Sequence, residues 1–361
     1  MTLAPDAIDV DPGARLARVG GEVTWAELDA ATQQHGLAIT GARLSRATVA
    51  GTVLRGDGGW LERSLGPACA HLVAAEVELT DGRIVEADGE LLWALRGGGE
   101  GFGRVTELRL RLHPVGPVLL CGFLGFARGR AAEVARAYRD LMAGAPDEVG
   151  GVATAPDEVG SALVLFAGGA GALNVAYCFA GGIEDGERAV APLRGLEPAL
   201  DALAPNEYRA FQAMTDAQNP PGMRSRAHAG FLEELTDEVI DAAVGAANRA
   251  APALSRVALT PLGGALGRLD PQETALRLPD AAWAWECTAM WPPVDSLDRL
   301  GVAWADGVRD ALHPFDVAPA ADPVRDERLA RIRARDPAAA RSGAAPLPPP
   351  RAPARPRASS P

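Results

Sequence analysis

Leu91–Pro117 reads LLWALRGGGEGFGRVTELRLRLHPVGP, and three patterns follow one another inside it. Leu91 to Leu95 is apolar and short, and predicts a brief helix. Arg96 to Gly103 is dominated by glycine, which lets a backbone turn through left-handed conformations and come close to a ligand. Thr106, Leu108, Leu110 and Leu112 then alternate with Glu107, Arg109 and Arg111, the period-two signature of a half-buried strand. His113-Pro114 ends that strand. The stretch therefore predicts a short helix, a loop and a strand in this order.

Working outward, residues 72–87 predict a hairpin with Asp81-Gly82 as its turn. Gly41 to Gly59 is a glycine-rich stretch broken by Arg55 and Asp57. Thr24 and Glu27 have the spacing of a capping box, opening a helix that stops at Gly36, and Leu37 to Thr40 predicts a short strand. Residues 7–20 predict one strand that enters the Gly20-Gly21 turn. A second pattern begins with the strand VLLCGFLGF at Val118. It continues through a helix carrying Val134, Tyr138, Leu141 and Met142, strands at Ala162–Phe166 and Leu173–Phe179, and a helix from about Glu187. Helices at 236–250 and 297–312 flank a strand at 283–291. This mixed order predicts an α+β fold with an antiparallel sheet covered by helices.

The chain has 361 residues and a formal net charge of −12. That length suggests two domains. The charge balance lacks the cationic surplus that neutralises phosphates, so nucleic acid is not an expected partner. All basic residues are arginine, which excludes mechanisms needing a lysine, among them the pyridoxal Schiff base and the Walker A loop. Cys69, Cys121, Cys178 and Cys287 are far apart, and His35, His71, His113, His228 and His313 form no metal-binding spacing, so no metal site is expected. Reduced thiols and no basic-then-apolar leader predict a cytoplasmic protein without a membrane span. The arginine, alanine, glycine and proline bias suggests a bacterial source. From about Asp336 the sequence turns to proline and arginine and predicts a disordered tail.

The stretch Val10–Pro117 resembles the second half of the flavin domain in the berberine-bridge-enzyme-like branch of the FAD-linked oxidases, which have the vanillyl-alcohol-oxidase (PCMH-type) fold. The matching motifs are VAG (Val49–Gly51), GGWLERSLGPAC (Gly58–Cys69), AEVELTDGRIV and the Leu91–Pro117 stretch itself. NPPGM (Asn219–Met223), FLEELTDEVIDA, TPLGGALGRL and the Trp283–Trp291 strand extend the likeness to about residue 315. The resemblance implies a partial PCMH-type FAD-binding domain over 1–117, truncated at its N-terminus. It implies a substrate domain over 118–320 and a degenerate C-terminal segment with its tail over 321–361. It implies FAD as cofactor, with Val49, Ala50, Gly51, Gly56, Gly58, Gly59, Gly103 and Val105 as the residues approaching it. Tyr208 and Gln212, one turn apart, and Trp283 and Trp285, which share a strand face, are the candidates for the substrate pocket.

The sequence departs from the family pattern at several places. No cysteine occurs in residues 36–51, where the family has a covalent attachment site, so bound FAD is expected to be non-covalent. Arg55 and Asp57 stand where the family has glycine, and His71 stands where it has asparagine. No residue matches the family's catalytic tyrosine, and no catalytic residue is assigned. Two functions stay open on the sequence. One is an oxidase that moves hydride from a CH–OH or CH–NH carbon of a small substrate to flavin N5, with reoxidation by O2. The other is a flavin-free binding protein, pseudoenzyme or gene fragment of the same lineage.

Overall fold

The structure is a computed structural model and describes residues 3–143, 157–167 and 173–336. Its first unit carries the strands β1 (Ile8–Asp11), β2 (Leu16–Gly20), β3 (Leu37–Ala38), β4 (Leu72–Glu78), β5 (Ile84–Glu86), β6 (Arg104–Arg111) and β7 (His113–Pro114). Its helices are α1 (Trp25–Thr32), α2 (Val49–Arg55), α3 (Glu62–Leu65) and α4 (Gly89–Leu95). The second unit has β8 (Val118–Phe126), β9 (Val159–Phe166), β10 (Leu173–Phe179), β11 (Leu200–Asp201), β12 (Ala204–Glu207), β13 (Arg224–Leu232), β14 (Arg256–Pro261) and β15 (Trp283–Trp291). Its helices are α5 (Ala131–Ala143), α6 (Ile183–Arg194), α7 (Tyr208–Gln212), α8 (Asp237–Ala247) and α9 (Asp295–Leu312), and α10 (Pro323–Arg333) ends the described chain.

The smaller sheet is antiparallel in the order β1-β2-β6-β4-β5. Residues 7–20 are not one strand: Asp11 accepts from the Ala14 amide and Arg15 takes a φ of +53°, which folds the segment into the β1–β2 hairpin. The capping box is formed, with Thr24 and Glu27 bonding reciprocally. Gly36 ends the turn after α1 at a φ of +63°. Gly82 closes the β4–β5 hairpin at +82°. The glycine-rich stretch after Gly41 contains α2, which the sequence did not signal. Thr48 caps it by accepting from the Gly51 amide at 3.3 Å, and Gly56 stops it at a φ of +71°.

The larger sheet is antiparallel in the order β11-β8-β10-β9-β14-β15-β13, with β12 also pairing with β8. One face packs under α5, α6, α8 and α9 around Leu163, Val175, Tyr138, Trp283, Trp285 and Trp304. The opposite face packs Cys121, Ala162, Ala176 and Cys178 against Trp60, Leu61 and Val115 of the first unit. Period-two alternation along each strand sends neighbouring residues to these two faces.

The C-terminal region is a folded part of the molecule as far as Asp336. Asp322 caps α10, and Leu329 and Ile332 are buried in the core of the first unit. The predicted disordered tail lies outside the described residues from 337 onward. Among the described residues no helix is long and apolar enough to cross a membrane.

Candidate functional site

Three segments of the first unit surround a groove of about 490 Å³. The first wall is α2 and its cap, through Thr48, Ala50, Gly51 and Leu54. The second is the loop Gly99–Gly103, and the third is the end of β4 at Glu78–Thr80. Gly21 and Val105 complete the groove. The loop holds its shape because Gly97, Gly99, Gly101 and Gly103 all have φ values between +81° and +104°, a region L side chains rarely enter. A Cβ on Gly103 would stand 2.6 Å from Val77 Cγ1 and 2.8 Å from the Glu78 carbonyl oxygen. The Gly99 amide donates to the Leu54 carbonyl at 2.9 Å, which fixes the loop to the end of α2. On the rim, Arg104 donates through Nε to Glu78 at 2.8 Å.

A second cluster holds the loop 41–47 against the larger sheet. Gln212 Nε2 donates to the Ala42 carbonyl at 2.5 Å, and the Ser45 amide donates to Asp216 at 3.0 Å. Arg43 donates to Thr260 at 3.1 Å and its guanidinium lies 4.6 Å over the Trp60 ring. Arg46 donates to the Asn219 carbonyl, and Arg256 donates to the Asn219 side chain at 2.8 Å. Arg43 Nε and Arg256 Nη1 are buried with no hydrogen-bond partner among the described residues. Burial pulls the Arg256 pKa down, with partial compensation from Glu286. Glu62, beside Arg43 and Arg63, has its carboxyl pushed up by burial.

Residues 2–88 match the FAD binding domain family. The curated proteins this chain resembles are FAD-linked oxidoreductases. The chain is 28% identical over 208 residues to the (R)-6-hydroxynicotine oxidase of Paenarthrobacter nicotinovorans, covering 56% of this chain and 44% of that protein. Its fold is similar to the crystal structure of 6-hydroxy-D-nicotine oxidase from Arthrobacter nicotinovorans, at a TM-score of 0.77 and 21% identity, over 92% of this chain and 78% of that one. It is also similar to berberine bridge enzyme from Eschscholzia californica, at a TM-score of 0.74 and 16% identity, over 86% of this chain and 65% of that one. The chain spans between about a quarter and somewhat over half of the length of the curated relatives it matches.

Of the eight residues singled out for the flavin, Ala50, Gly51, Gly103 and Val105 come together on the one groove. The other four do not line it. Val49 is in the core. Gly56 packs against Leu276, where a Cβ would meet its methyl at 2.6 Å. Gly58 sits on the Glu62 carboxylate, and Gly59 is pressed on the Gly41 carbonyl. Their small size serves close packing between loops. Arg55 and Asp57 bond each other at 2.8 Å, so the two charges cancel beside α2.

The tryptophan expectation is overturned. Trp283 and Trp285 lie on the helix-covered face of the larger sheet, away from the first unit. Trp283 meets Tyr138 of α5 edge to face at 5.7 Å, and Trp285 Nε1 donates to Asp316 at 2.6 Å. Both are core residues because the strand alternation places them under α5 and α9. Tyr208 and Gln212 share a helix face as predicted and are buried where the two units meet, with the Tyr208 hydroxyl 3.4 Å from Gln212 Oε1. Gln212 bonds the 41–47 loop, and Tyr208 packs in the cluster with Ala38, Trp60 and Phe211. Sequence reasoning missed Thr48, Leu54, Leu79 and Thr80 on the groove. Of these only Thr48 had a signal, a capping residue just before VAG.

The groove is a fair match to a flavin nucleotide. Its walls are largely backbone and small side chains, which allows close approach to a bulky ligand. Its volume lies in the range of small-molecule sites, roughly 300–1,000 Å³. Of the two acidic residues on its lining, Glu78 is offset by Arg104, and Glu100 stands on the loop whose carbonyls Arg333 holds. No cluster of three or more His, Cys, Asp or Glu able to hold a metal occurs among the described residues.

Proposed function

We propose that this chain is an FAD-dependent oxidoreductase that takes hydride from a CH–OH or CH–NH carbon of a small organic substrate, with O2 as the final acceptor. The observation that carries the proposal is the convergence of Ala50, Gly51, Gly103 and Val105 on one glycine-walled groove, in a chain whose residues 2–88 match an FAD binding domain. Bound FAD would supply the hydride acceptor. The chain's own part is to hold the nucleotide through the backbone of the 99–103 loop and the start of α2. Gln212, Asp216 and Asn219, on and just after α7, fix the 41–47 loop. The substrate would bind along the sheet face next to that loop, where the unpaired Arg43 Nε and Arg256 Nη1 offer donors to an acceptor on it. A bacterial, cytoplasmic setting is supported by the four free, buried cysteines and the arginine-only cation content.

FAD held this way would be non-covalent, since residues 36–51 offer no thiol for attachment. The test is the absorbance spectrum of the native protein, followed by acid precipitation. Flavin bands in the native protein that move to the supernatant support the reading. A native protein that stays colourless after incubation with excess FAD overturns it and favours a flavin-free binding protein.

A further inference from the structure

The groove is held from an unexpected direction. Arg333, the last residue of α10, reaches back across the first unit to the glycine loop. Its Nη2 donates to the Gly98 carbonyl at 2.8 Å and its Nε to the Glu100 carbonyl at 3.2 Å. The same guanidinium stacks on Phe102, 4.8 Å from the ring centroid. Three residues later, Asp336 accepts from the Thr80 amide at 2.7 Å and from the Thr80 hydroxyl at 2.5 Å. Phe102 and Thr80 both line the groove, on two different walls. One helix end therefore fastens both.

The contacts are of a kind that fixes geometry. A guanidinium fork on two carbonyls and a ring adds a restraint on the far side of a glycine loop that Leu54 holds from α2. A carboxylate taking both donors of one threonine pins the end of β4. The helix is itself anchored away from the groove. Arg328 stacks 3.8 Å over Trp93 and pairs with Glu90 at 2.6 Å, while Leu329 and Ile332 enter the core. Anchor and fastening thus lie on separate residues.

We propose that α10 is a latch that holds the nucleotide groove in its binding shape, with Arg333 and Asp336 as its two positioning residues. This rests on the nucleotide reading of the groove. The cost of ordering the loop is met before the ligand arrives, so removing the latch weakens binding by restoring that cost. Arg331 lies on the same helix, is largely exposed and among the described residues pairs only with Glu90, at 3.8 Å. It separates loss of the latch from loss of the helix.

The experiment uses the full chain with Arg333→Ala, Asp336→Asn and Arg331→Ala. Two quantities are read: FAD affinity, by quenching of flavin fluorescence, and amide exchange at residues 80 and 98–103 without FAD. Arg333→Ala and Asp336→Asn are each expected to weaken FAD binding about tenfold and to speed exchange in their own wall by a similar factor. Arg331→Ala should change neither. Wild-type exchange at residues 80 and 98–103 in both latch variants overturns the latch, as does an equal loss of affinity in Arg331→Ala. If Arg333→Ala does not fold, Asp336→Asn decides alone. Failure of the wild-type chain to bind FAD overturns the nucleotide reading and the latch's part in binding, while the exchange data still report whether the restraint exists.

Discussion

The imidazoles of His71 and His113 meet at 3.1 Å, His71 Nδ1 to His113 Nε2, with the rings edge to face. The pair joins the turn before β4 to the short strand that leads out of the first unit. Burial comes first among the causes that pull His71 down to about 3, followed by His113 and, more weakly, Arg111. Burial, then Arg111 and Arg15, also lowers His113.

A histidine held neutral in the folded state binds its proton more readily once unfolded. Stability is therefore fully present above the ordinary histidine pKa and falls as the pH drops below it. Between pH 6.5 and 4.5 the expected loss from His71 is about 2–3 kcal/mol. Urea unfolding of the wild type and of His71→Asn at both pH values checks this. The variant should lose distinctly less stability on acidification, and equal losses would remove His71 as the cause.

Asp29 shows the opposite case. It is buried on α1, and its Oδ2 finds no hydrogen-bond partner among the described residues. Desolvation raises its carboxyl to about 7, against a weaker pull from Arg209. Here the folded pKa is raised, so stability is greatest below the unfolded value near 3.8 and declines as the pH climbs to about 7. Asp29→Asn should stabilise the protein at pH 8 by about 2–4 kcal/mol and flatten the slope between pH 4 and 7. A calorimetric scan at pH 5 and pH 8 settles the sign.

Gly103→Ala places a methyl group on a residue at φ +104°, against Val77 and the Glu78 carbonyl. The expected cost is about 1–3 kcal/mol of stability, with weaker FAD binding because the loop must shift. Gly89→Ala is the comparison, since nothing lies within 4 Å of its added Cβ. Melting curves and FAD titrations of the two variants side by side give the contrast.

Trp285→Phe removes an indole donor from Asp316 and leaves part of the helix-side core empty. Stability should fall by about 1.5–3 kcal/mol while FAD affinity stays at its wild-type value. A large change in flavin binding with little loss of stability would return this residue to the cofactor side of the sheet.

The parts of the fold legible in the sequence are those set by local rules. Thr24 and Glu27 and Asp81-Gly82 each act within a few residues and formed as read, while the Thr106–Leu112 alternation gave the strand but not the burial of Glu107, which pairs with Arg18 from the neighbouring strand. The groove was half legible, because glycines needed for backbone approach and glycines needed for packing look alike in a sequence. Gly103 turns a loop on the groove, whereas Gly59 makes room for the Gly41 carbonyl. Trp283 and Trp285 were rightly placed on one strand face, but which face meets the helices depends on how the two units dock. The restraints from Arg333 and Asp336 had no signal, since their partners at Gly98, Glu100 and Thr80 are remote in the chain.

That remoteness imposes an order on biosynthesis. Synthesis delivers Thr48, Thr80 and Gly103 long before it delivers Asp336, roughly 230 residues after Gly103, and at about 5–20 residues per second the gap is some 10–50 s. Throughout that interval the emerging polypeptide carries every wall of its groove and none of the clasp. On the latch reading, a nascent chain that has not yet reached α10 holds its groove less firmly than one that includes it, and a ribosome that stalls before α10 releases a product with the pocket loose.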